Sequence, residues 1–501
     1  MMKREKLRCW LKAIRRAMKE EIFTVFFRFF GNHRAPERVF WINAVKIKAP
    51  AIERPDMKRI ILFLISSLSL VPVFASGKTG GLHPEIRDRR SEIRDPSGYV
   101  GDIHSVKLYR PGDQTSFPMY ALNSAEGLEL HFDDLDADVK NYYYAFQLCN
   151  ADWSPSILNP FEYTQGFRNV RITNYRQSSM TSTRYTHYQA SVPDRNCAPS
   201  RSGNYLLKVF INGDTSQLAF SKRFVVTDNK AVVAVQVQQP YNARYFRTHQ
   251  KLFIGVTPDE RRVRLMGPQD LKVVVLQNNN WATSLQFNRP TIYRGNYYEY
   301  SDETLTGIPA GMEWRWADIR SLRLMSDRVE SINTRADTTQ IYMRPDAPRN
   351  GQMRVYYRDL NGAYSIESME GLNPFWQTEY GAVHFRFQPP GGQAIEGRDV
   401  YVFGELTNYA QDGDGLMTFN SDKGVYEATL YLKQGYYNYQ YMTLPSGKGG
   451  YPDFEATEGN NWSTENSYIV LVYYRPFGAQ ADELIGASRV SSLFSDELRQ
   501  R

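Results

Sequence analysis

The sequence predicts an all-β protein, with tandem immunoglobulin-like, early-set β-sandwich domains that follow a signal peptide. Three observations predict this fold. Short segments alternate apolar and polar residues with a period of two, and turns rich in Gly, Pro and Asn separate them at regular spacing. Long helical periodicity is nearly missing after Ser76. Aromatic residues make up 14% of the chain, so the sandwich cores should be rich in rings.

A secretory signal is predicted from Met57 to Ala75, in the stretch MKRIILFLISSLSLVPVFA. A Lys-Arg pair forms its basic start, and the apolar stretch that follows is too short to span a bilayer. Val73 and Ala75 are the small residues that a signal peptidase requires, so cleavage is expected after Ala75. The protein is therefore expected to be exported.

The 56 residues before Met57 differ in charge from the rest of the chain. They hold 14 Lys and Arg against 6 Asp and Glu, an excess of eight, while the whole chain carries +7, so the remainder carries −1. Nucleic-acid binding by the folded part is therefore not predicted. The extension is either a basic amphipathic segment that lies on a membrane or translated upstream sequence with the true start at Met57. We favour the second, because a secretory signal acts at the N-terminus.

The remaining chain divides at turn-rich stretches. Asn212-Gly213 and Asn361-Gly362, each between apolar alternating segments, predict β-hairpins. No later segment is apolar over 18 residues, so no transmembrane helix is expected. The predicted order is a basic extension at 1–56, a signal peptide at 57–75, a flexible lead at 76–97, a first sandwich at 98–228, a second at 229–345, a connector with a hairpin at 346–377, a third sandwich at 378–478 and a polar tail at 479–501.

Cys149 and Cys197 are the two cysteines left once Cys9 is assigned to the extension. An exported protein meets an oxidising environment, so the pair can form a disulfide. The alternative is two buried free thiols. The spacing of two cysteines does not decide between these alternatives.

Motifs for catalysis, cofactors and metals are incomplete. SGKTGG resembles a phosphate-binding loop, but Pro72 stands where the motif needs its first Gly. DDLDADVKN begins like a calcium loop, but Val139 and Ala145 replace the required Gly and Glu. Neither H-E-x-x-H nor G-x-S-x-G occurs. We therefore predict no cofactor, no metal site and no enzymatic activity.

The last block carries a row of tyrosines. In GVYEATLYLKQGYYNYQYM, Tyr437, Tyr439 and Tyr441 share one face of a strand. They either stack on sugar rings or pack the sandwich core. This stretch and DVYVFGELTNY resemble the early-set modules that bind glycogen. In sugar-binding members tryptophans do the stacking, whereas here Tyr409 stands at the first such place. The resemblance implies a β-sandwich and makes a carbohydrate-binding protein the alternative function.

A wider resemblance covers the chain from about Gly101 to Gly486. The residues that carry it include YYYAFQLCNADWSPS, EYTQGF, YTHYQASVP, SGNYLLKVF, EWRWADIRSLR and EGNNWSTENSYIVLVYYRPFG, in this order. The chain resembles the exported, multi-sandwich plug protein of the Bacteroidetes type IX secretion system. Tryptophans at 314 and 316 depart from the pattern, in which Phe is expected.

This resemblance implies a periplasmic, non-enzymatic protein that associates peripherally with the outer membrane. Its implied partner is the translocon barrel of the secretion system, whose periplasmic end it would close. Aromatic and Arg side chains are enriched at protein interfaces. The residues that we expect to contact the partner are Trp153, Tyr163, Phe167 and Arg168. The alternative is that their side chains anchor a long loop to its own sandwich.

Overall fold

The structure is a computed structural model, and it describes residues 102–335, 338–410, 413–447 and 451–493. All of them lie in one compact unit, 81–501. The predicted extension, signal peptide with its cleavage after Ala75, and flexible lead lie outside the described residues. Within the described part, no helix is long and apolar enough to cross a membrane.

The first sandwich occupies 102–228 and packs two antiparallel-rich sheets around one core. Its sheets run β1-β3-β8-β7 and β2-β11-β10-β4-β6, and β5 pairs with β9 in a separate ribbon. The elements are β1 (Ile103–Tyr109), β2 (Met119–Ala121), β3 (Leu128–Asp134), β4 (Tyr142–Cys149), helix α1 (Pro160–Tyr163), β5 (Thr164–Gly166), β6 (Asn169–Arg171), β7 (Asn174–Gln177), β8 (Thr186–Val192), β9 (Cys197–Pro199), β10 (Gly203–Ile211) and β11 (Leu218–Thr227).

Alternation along the strands builds this core. On β4, Tyr142, Tyr144, Phe146 and Leu148 are buried and meet the rings of the opposite sheet. The predicted hairpin at Asn212-Gly213 is confirmed, because β10 and β11 pair around it and both turn residues have positive φ, 56° and 73°. Such φ values suit Asn and Gly and mark a tight hairpin turn.

The second sandwich draws its strands from two distant parts of the chain. Its sheets are β12-β13-β17-β16, with β18 also on β13, and β15-β14-β28-β29. The elements are β12 (Ala231–Gln238), β13 (His249–Pro258), β14 (Leu271–Gln277), β15 (Asn280–Phe287), β16 (Ile292–Arg294), β17 (Tyr297–Tyr300), α2 (Glu303–Thr306) and β18 (Gly307–Pro309), followed much later by β28 (Ser467–Tyr474) and β29 (Glu483–Ser491).

The return of β28 to β14 is the largest difference from the predicted organisation. Tyr474 pairs with Leu271 and Tyr468 pairs with Gln277, so the last strands belong to the second sandwich. The segment 378–478 was expected to form the third sandwich alone, and 479–501 a polar tail, but 483–491 is a strand. All eight residues of β28 are buried, because β28 is a central strand between β14 and β29.

The third sandwich is inserted between β18 and β28. Its sheets are β20-β21-β23-β26-β25 and β19-β27-β22, with β24 also pairing with β27. Its strands are β19 (Arg315–Asp318), β20 (Val329–Asn333), β21 (Thr339–Met343), β22 (Tyr364–Ser365), β23 (Tyr380–Phe387), β24 (Arg398–Phe403), β25 (Thr418–Asn420), β26 (Val425–Lys433) and β27 (Tyr436–Pro445). Three short 3-10 turns lie at Pro268–Asp270, Pro390–Gly392 and Glu405–Ala410. Strands β19, β20 and β21 lie before residue 345 but pair within the third sandwich. The second sandwich therefore does not extend to residue 345, as the sequence predicted.

The predicted hairpin of the connector does not form. Asn361 and Gly362 have positive φ, 53° and 82°, as expected of a tight turn. However, β22 pairs with β27, and 353–358 has no strand partner. A side chain at Gly362 would meet the ring of Trp314 at 2.6 Å, so the turn is seated against that ring. The turn at Asn361-Gly362 thus packs on the Trp314 ring, and the strand pairing that the alternating sequence predicts on either side of this turn does not form.

A buried ion pair joins the first sandwich to the third. The Lys433 ammonium donates to Asp133 Oδ2 at 2.6 Å, and both side chains are 1% exposed. Tyr380 donates to the same oxygen at 2.6 Å, and His187 Nδ1 lies 2.7 Å from Oδ1. Burial tends to raise the pKa of Asp133, but Lys433 and His187 outweigh it and hold this pKa below its ordinary value. The carboxylate is therefore ionised and fully partnered at neutral pH.

The second sandwich contacts both neighbours. An apolar cluster that includes Val225, Leu276 and Leu471 fills the interface with the first sandwich. Across the interface with the third, the Tyr409 hydroxyl donates to the Asn278 carbonyl at 3.1 Å. Each sandwich is thus held by the other two, and the three form one body.

Lys433→Ala tests the buried ion pair. The substitution leaves Asp133 buried without its cation, so we expect the free energy of unfolding at pH 7 to fall by about 3–5 kcal/mol. Urea denaturation measures it. The matched control is Lys423→Ala, whose ammonium is 64% exposed and pairs with Glu427 at 2.9 Å; it should cost less than about 1 kcal/mol. Equal costs for the two variants would contradict the role of the pair.

Two buried histidines make this interface sensitive to acid. His131 Nδ1 lies 3.1 Å from His187 Nε2, and a hydrogen bond between them requires that one of these two nitrogens carries no proton. Burial of both rings favours the neutral form of each. Burial lowers the pKa of His131 to about 3 and also lowers that of His187. The unfolded chain binds these protons below about pH 6.5, so stability falls as the pH falls through that value.

His187→Asn tests this dependence, because the Asn amide can still donate to Asp133 without titrating. Between pH 6.5 and 4.5, we expect the unfolding free energy of the variant to fall less steeply than that of the native protein. The two slopes should differ by up to about 1.4 kcal/mol per pH unit, the effect of one proton. Denaturation curves at several pH values measure the two slopes. Identical slopes would mean that His187 does not remain neutral in the folded protein.

Candidate interaction surface

The segment between β4 and β5 is shaped by a capped turn of helix. Asn159 Oδ1 accepts from the Phe161 N–H at 3.3 Å, and Glu162 reaches back to the Asn159 N–H at 2.8 Å. Pro160 occupies the first helical position, where its missing N–H costs nothing. This reciprocal capping holds α1 in a fixed orientation, although it is only four residues long.

The four residues predicted to contact a partner fall into two pairs. Tyr163 is 4% exposed and belongs to the core of the first sandwich. Trp153 is half-buried, packs edge-to-face on Trp281 of the second sandwich at 4.8 Å, and lies under the Arg223 guanidinium at 4.6 Å. These two rings anchor the loop, as the alternative interpretation expected. Phe167 and Arg168 instead lie at the surface, and Phe167 is 67% exposed.

Two apolar side chains of the segment before β5, Ile157 and Phe161, also reach solvent, and the sequence analysis missed them. Phe161 is 67% exposed and Ile157 is 78% exposed. The Arg168 guanidinium lies 3.6 Å from the centre of the Phe161 ring, a cation–π contact. The capping box around Asn159 could have predicted this exposure from the sequence. It marks the start of a helix, and if Tyr163 at the end of that helix is buried, Phe161 in the first turn faces outward.

Charge is unusually one-sided next to these rings. Between Tyr163 and Pro193 the chain carries four Arg and neither Lys, Asp nor Glu. All four are exposed: Arg168, Arg171, Arg176 and Arg184. The exposed rings and these arginines together form a surface of the type that binds other proteins. We call residues 157–184 of the first sandwich the arginine flank.

The tyrosine row of the third sandwich is inside the protein. Tyr437, Tyr439 and Tyr441 are at most 2% exposed and pack against β23. Tyr439 and Tyr441 donate to Asp346 at 2.7 and 2.9 Å, and Tyr437 donates to the Lys433 carbonyl. The structure therefore contradicts a sugar-stacking role for these three rings.

Tyr409 is also unavailable to a sugar ring. It packs edge-to-face against Phe403 at 5.5 Å, and its hydroxyl is used in the bond to Asn278. Burial raises the pKa of Tyr409 well above its ordinary value. Its role in the structure is to join the third sandwich to the second.

Two further features of the sequence, the rejected calcium loop and the cysteine pair, are explained by their own neighbours. In the acidic turn after β3, Lys140 Nζ lies 2.8 Å from Asp134 and 3.2 Å from Asp138, so the carboxylates already hold a cation. Among the described residues, no group of three or more His, Cys, Asp or Glu could hold a metal ion. Cys149 and Cys197 are free, buried thiols rather than a disulfide.

The fold defines a protein of three β-sandwiches with an aromatic, arginine-rich surface on the first, and the predicted all-β class is confirmed. Residues 103–228 match the family described as "Type 9 secretion system plug protein 1st domain". The resemblance to the plug protein family is thereby confirmed over the first sandwich, whose predicted limits were 98–228.

Solved structures extend this comparison. The chain is similar to a hypothetical protein from Parabacteroides merdae ATCC 43184, with 29% identity and a TM-score of 0.74, over 78% of this chain and 98% of that one. Escherichia coli alpha-2-macroglobulin also matches, at 12% identity over 78% of this chain and 22% of that one, but its TM-score of 0.15 carries no argument. No match was found among curated proteins.

The two thiols should be unreactive in the folded protein. Burial raises the pKa of both Cys149 and Cys197 to about 12, so little thiolate exists at pH 8. In a chain produced from Ser76 onward, we expect iodoacetamide to label neither cysteine at pH 8, and both after denaturation in guanidinium. Mass spectrometry counts the labels. A mass two hydrogens lower with no labelling after denaturation would show a disulfide instead.

Proposed function

We propose that this protein is a periplasmic plug, which closes the periplasmic end of the outer-membrane translocon barrel of the type IX secretion system by binding it without chemistry. The match of residues 103–228 to the plug family supports an association with this secretion system. The observation that carries the proposal is that the matched sandwich also bears the arginine flank, with exposed Phe161 and Phe167.

The physical task of a plug agrees with the architecture. A pore wide enough for folded cargo leaks small solutes unless a body of fixed shape closes one end. Three sandwiches that are tied by a buried ion pair and an apolar interface supply such a body. A rigid surface also loses little conformational entropy on binding, which favours affinity. Neither a catalytic group nor a bound metal is needed for this function.

The carbohydrate-binding alternative lacks support from the third sandwich. Its four candidate rings are Tyr409, Tyr437, Tyr439 and Tyr441, and each is committed to packing or to an internal hydrogen bond. Stacking on a sugar requires an exposed ring face. The arginine flank, by contrast, leaves its rings and charges at the surface.

Deletion of this gene in the native host tests the seal. We expect the deletion strain to admit a small hydrophilic dye that the intact outer membrane excludes, and the native gene to restore exclusion. Because the flank rings should be buried on binding, Phe161→Ala with Phe167→Ala should restore it poorly. The rate of dye entry is the measurement.

The matched control for the double variant is Tyr293→Ala, which removes a 60% exposed ring from β16 of the second sandwich. It should restore exclusion fully. Equal amounts of each protein in the periplasm must be confirmed by immunoblot. Unchanged dye entry in the deletion strain would contradict the plug function itself.

A further inference from the structure

Both sheets of the first sandwich end at the same stretch of chain. Strand β6 is the last strand of one sheet and pairs only with β4 among the described strands. Strand β7 is the last of the other sheet and pairs only with β8. Two residues, Ile172 and Thr173, connect them. The arginine flank therefore contains two adjacent open strand edges.

The edge of β7 is accessible. All four of its residues, Asn174–Gln177, are exposed, and Tyr175 is 44% exposed. The third sandwich approaches here through Trp376, whose ring lies 4.4 Å from the Arg176 guanidinium and whose carbonyl accepts from the Ser179 N–H at 2.9 Å, two residues beyond the end of β7. An open edge presents unpaired N–H and C=O groups, which another strand can satisfy.

Charge identifies the kind of strand that would bind. From Tyr163 to Pro193 the chain holds four Arg and no acidic residue, in a chain that is nearly neutral after residue 56. A basic strand edge repels basic segments and favours acidic ones. Guanidinium groups also bind carboxylates in a fork-like, bidentate geometry, which gives register as well as attraction.

The second sandwich offers a comparison within the same molecule. Strand β16, Ile292–Arg294, is also an exposed edge with a Tyr and an Arg. However, its partner strand places Glu299 opposite Ile292, and Asp302 and Glu303 follow within four residues. This edge thus mixes both signs of charge. Of these two edges, only the arginine flank unites an open edge with four arginines and exposed Phe side chains. Its one acidic residue, Glu162, is used to cap α1.

We propose that the arginine flank binds its partner by β-strand addition, pairing β7 with an extended segment rich in Asp and Glu. This inference rests on the proposed function, and because the strands of a closed barrel are already paired on both sides, the segment belongs to a periplasmic loop at the rim of the translocon barrel. Backbone pairing along β7 would supply affinity, the arginines would select the acidic strand, and Phe161 and Phe167 would cover the contact.

Photo-cross-linking tests the position of the contact. A benzoylphenylalanine replaces Tyr175 on β7, or Tyr293 on β16 as the matched control, in the full chain expressed in its native host. We expect a cross-link from position 175 to an Asp- and Glu-rich periplasmic loop segment of the translocon barrel, identified by mass spectrometry of the linked peptide. Cross-links to the barrel from position 293 alone, or from 175 to a basic segment, would overturn the proposal.

Charge reversal tests the chemistry. Arg168→Glu with Arg171→Glu should reduce the translocon that co-purifies with the tagged chain by about tenfold or more, because acidic groups would then face each other. The control Arg289→Glu with Arg294→Glu should stay within about twofold of the native chain. Co-purification should also weaken as salt increases. Full retention by the flank variant would overturn the proposal.

The outcomes separate this inference from the plug function. If the deletion strain leaks and the flank variant both binds and seals, the protein is a plug that uses another surface. If the native chain never co-purifies with the translocon, the plug function and this inference fail together. Melting temperatures of both double variants should match the native value, since the four substituted residues, Arg168, Arg171, Arg289 and Arg294, are all exposed.

Discussion

The structure depends on one buried carboxylate, Asp133, which holds the first sandwich to the third. Its carboxylate accepts hydrogen bonds from Lys433, Tyr380 and His187. Because Asp133 is only 1% exposed, solvent water cannot take the place of a lost partner. Burying a charge is costly unless every partner is in place, so this interface tolerates little displacement. The return of β28 to the second sandwich adds a covalent constraint. The chain leaves and re-enters that sandwich, and the inserted third sandwich is tied at both ends.

This closed arrangement agrees with the proposed function, which is mechanical and requires no catalytic group. Contacts between all three sandwiches favour a surface of fixed shape. The binding groups then need only be displayed on it. The arginine flank displays them where the two sheets of the first sandwich end in β6 and β7. The buried interfaces between the sandwiches thus fix the shape of the protein, and the arginine flank carries the exposed binding groups.

Local patterns predicted the strands well and their partners poorly. Alternation placed Tyr437, Tyr439 and Tyr441 on one face of β27, and Asn212-Gly213 marked a true hairpin. Nothing local shows that β28 pairs with β14, nearly 200 residues earlier, because pairing over that distance is decided by packing of the whole core. Phe167 and Arg168 were found because aromatic and Arg side chains are enriched at protein interfaces. Phe161 was missed because it follows Pro160 in a segment that reads as a turn, and its exposure depends on the capping of α1.

The central claim is that a rigid three-sandwich body closes the translocon through its first sandwich. A cryo-EM map of the translocon, purified from the native envelope through a C-terminal tag on this chain, tests it most directly. We predict that the three sandwiches occupy the periplasmic opening of the barrel in the arrangement described above, with the arginine flank against the rim and β7 paired with an extended periplasmic loop segment of the barrel. A map in which the opening is empty, or in which the second or third sandwich alone makes the contact, would contradict it.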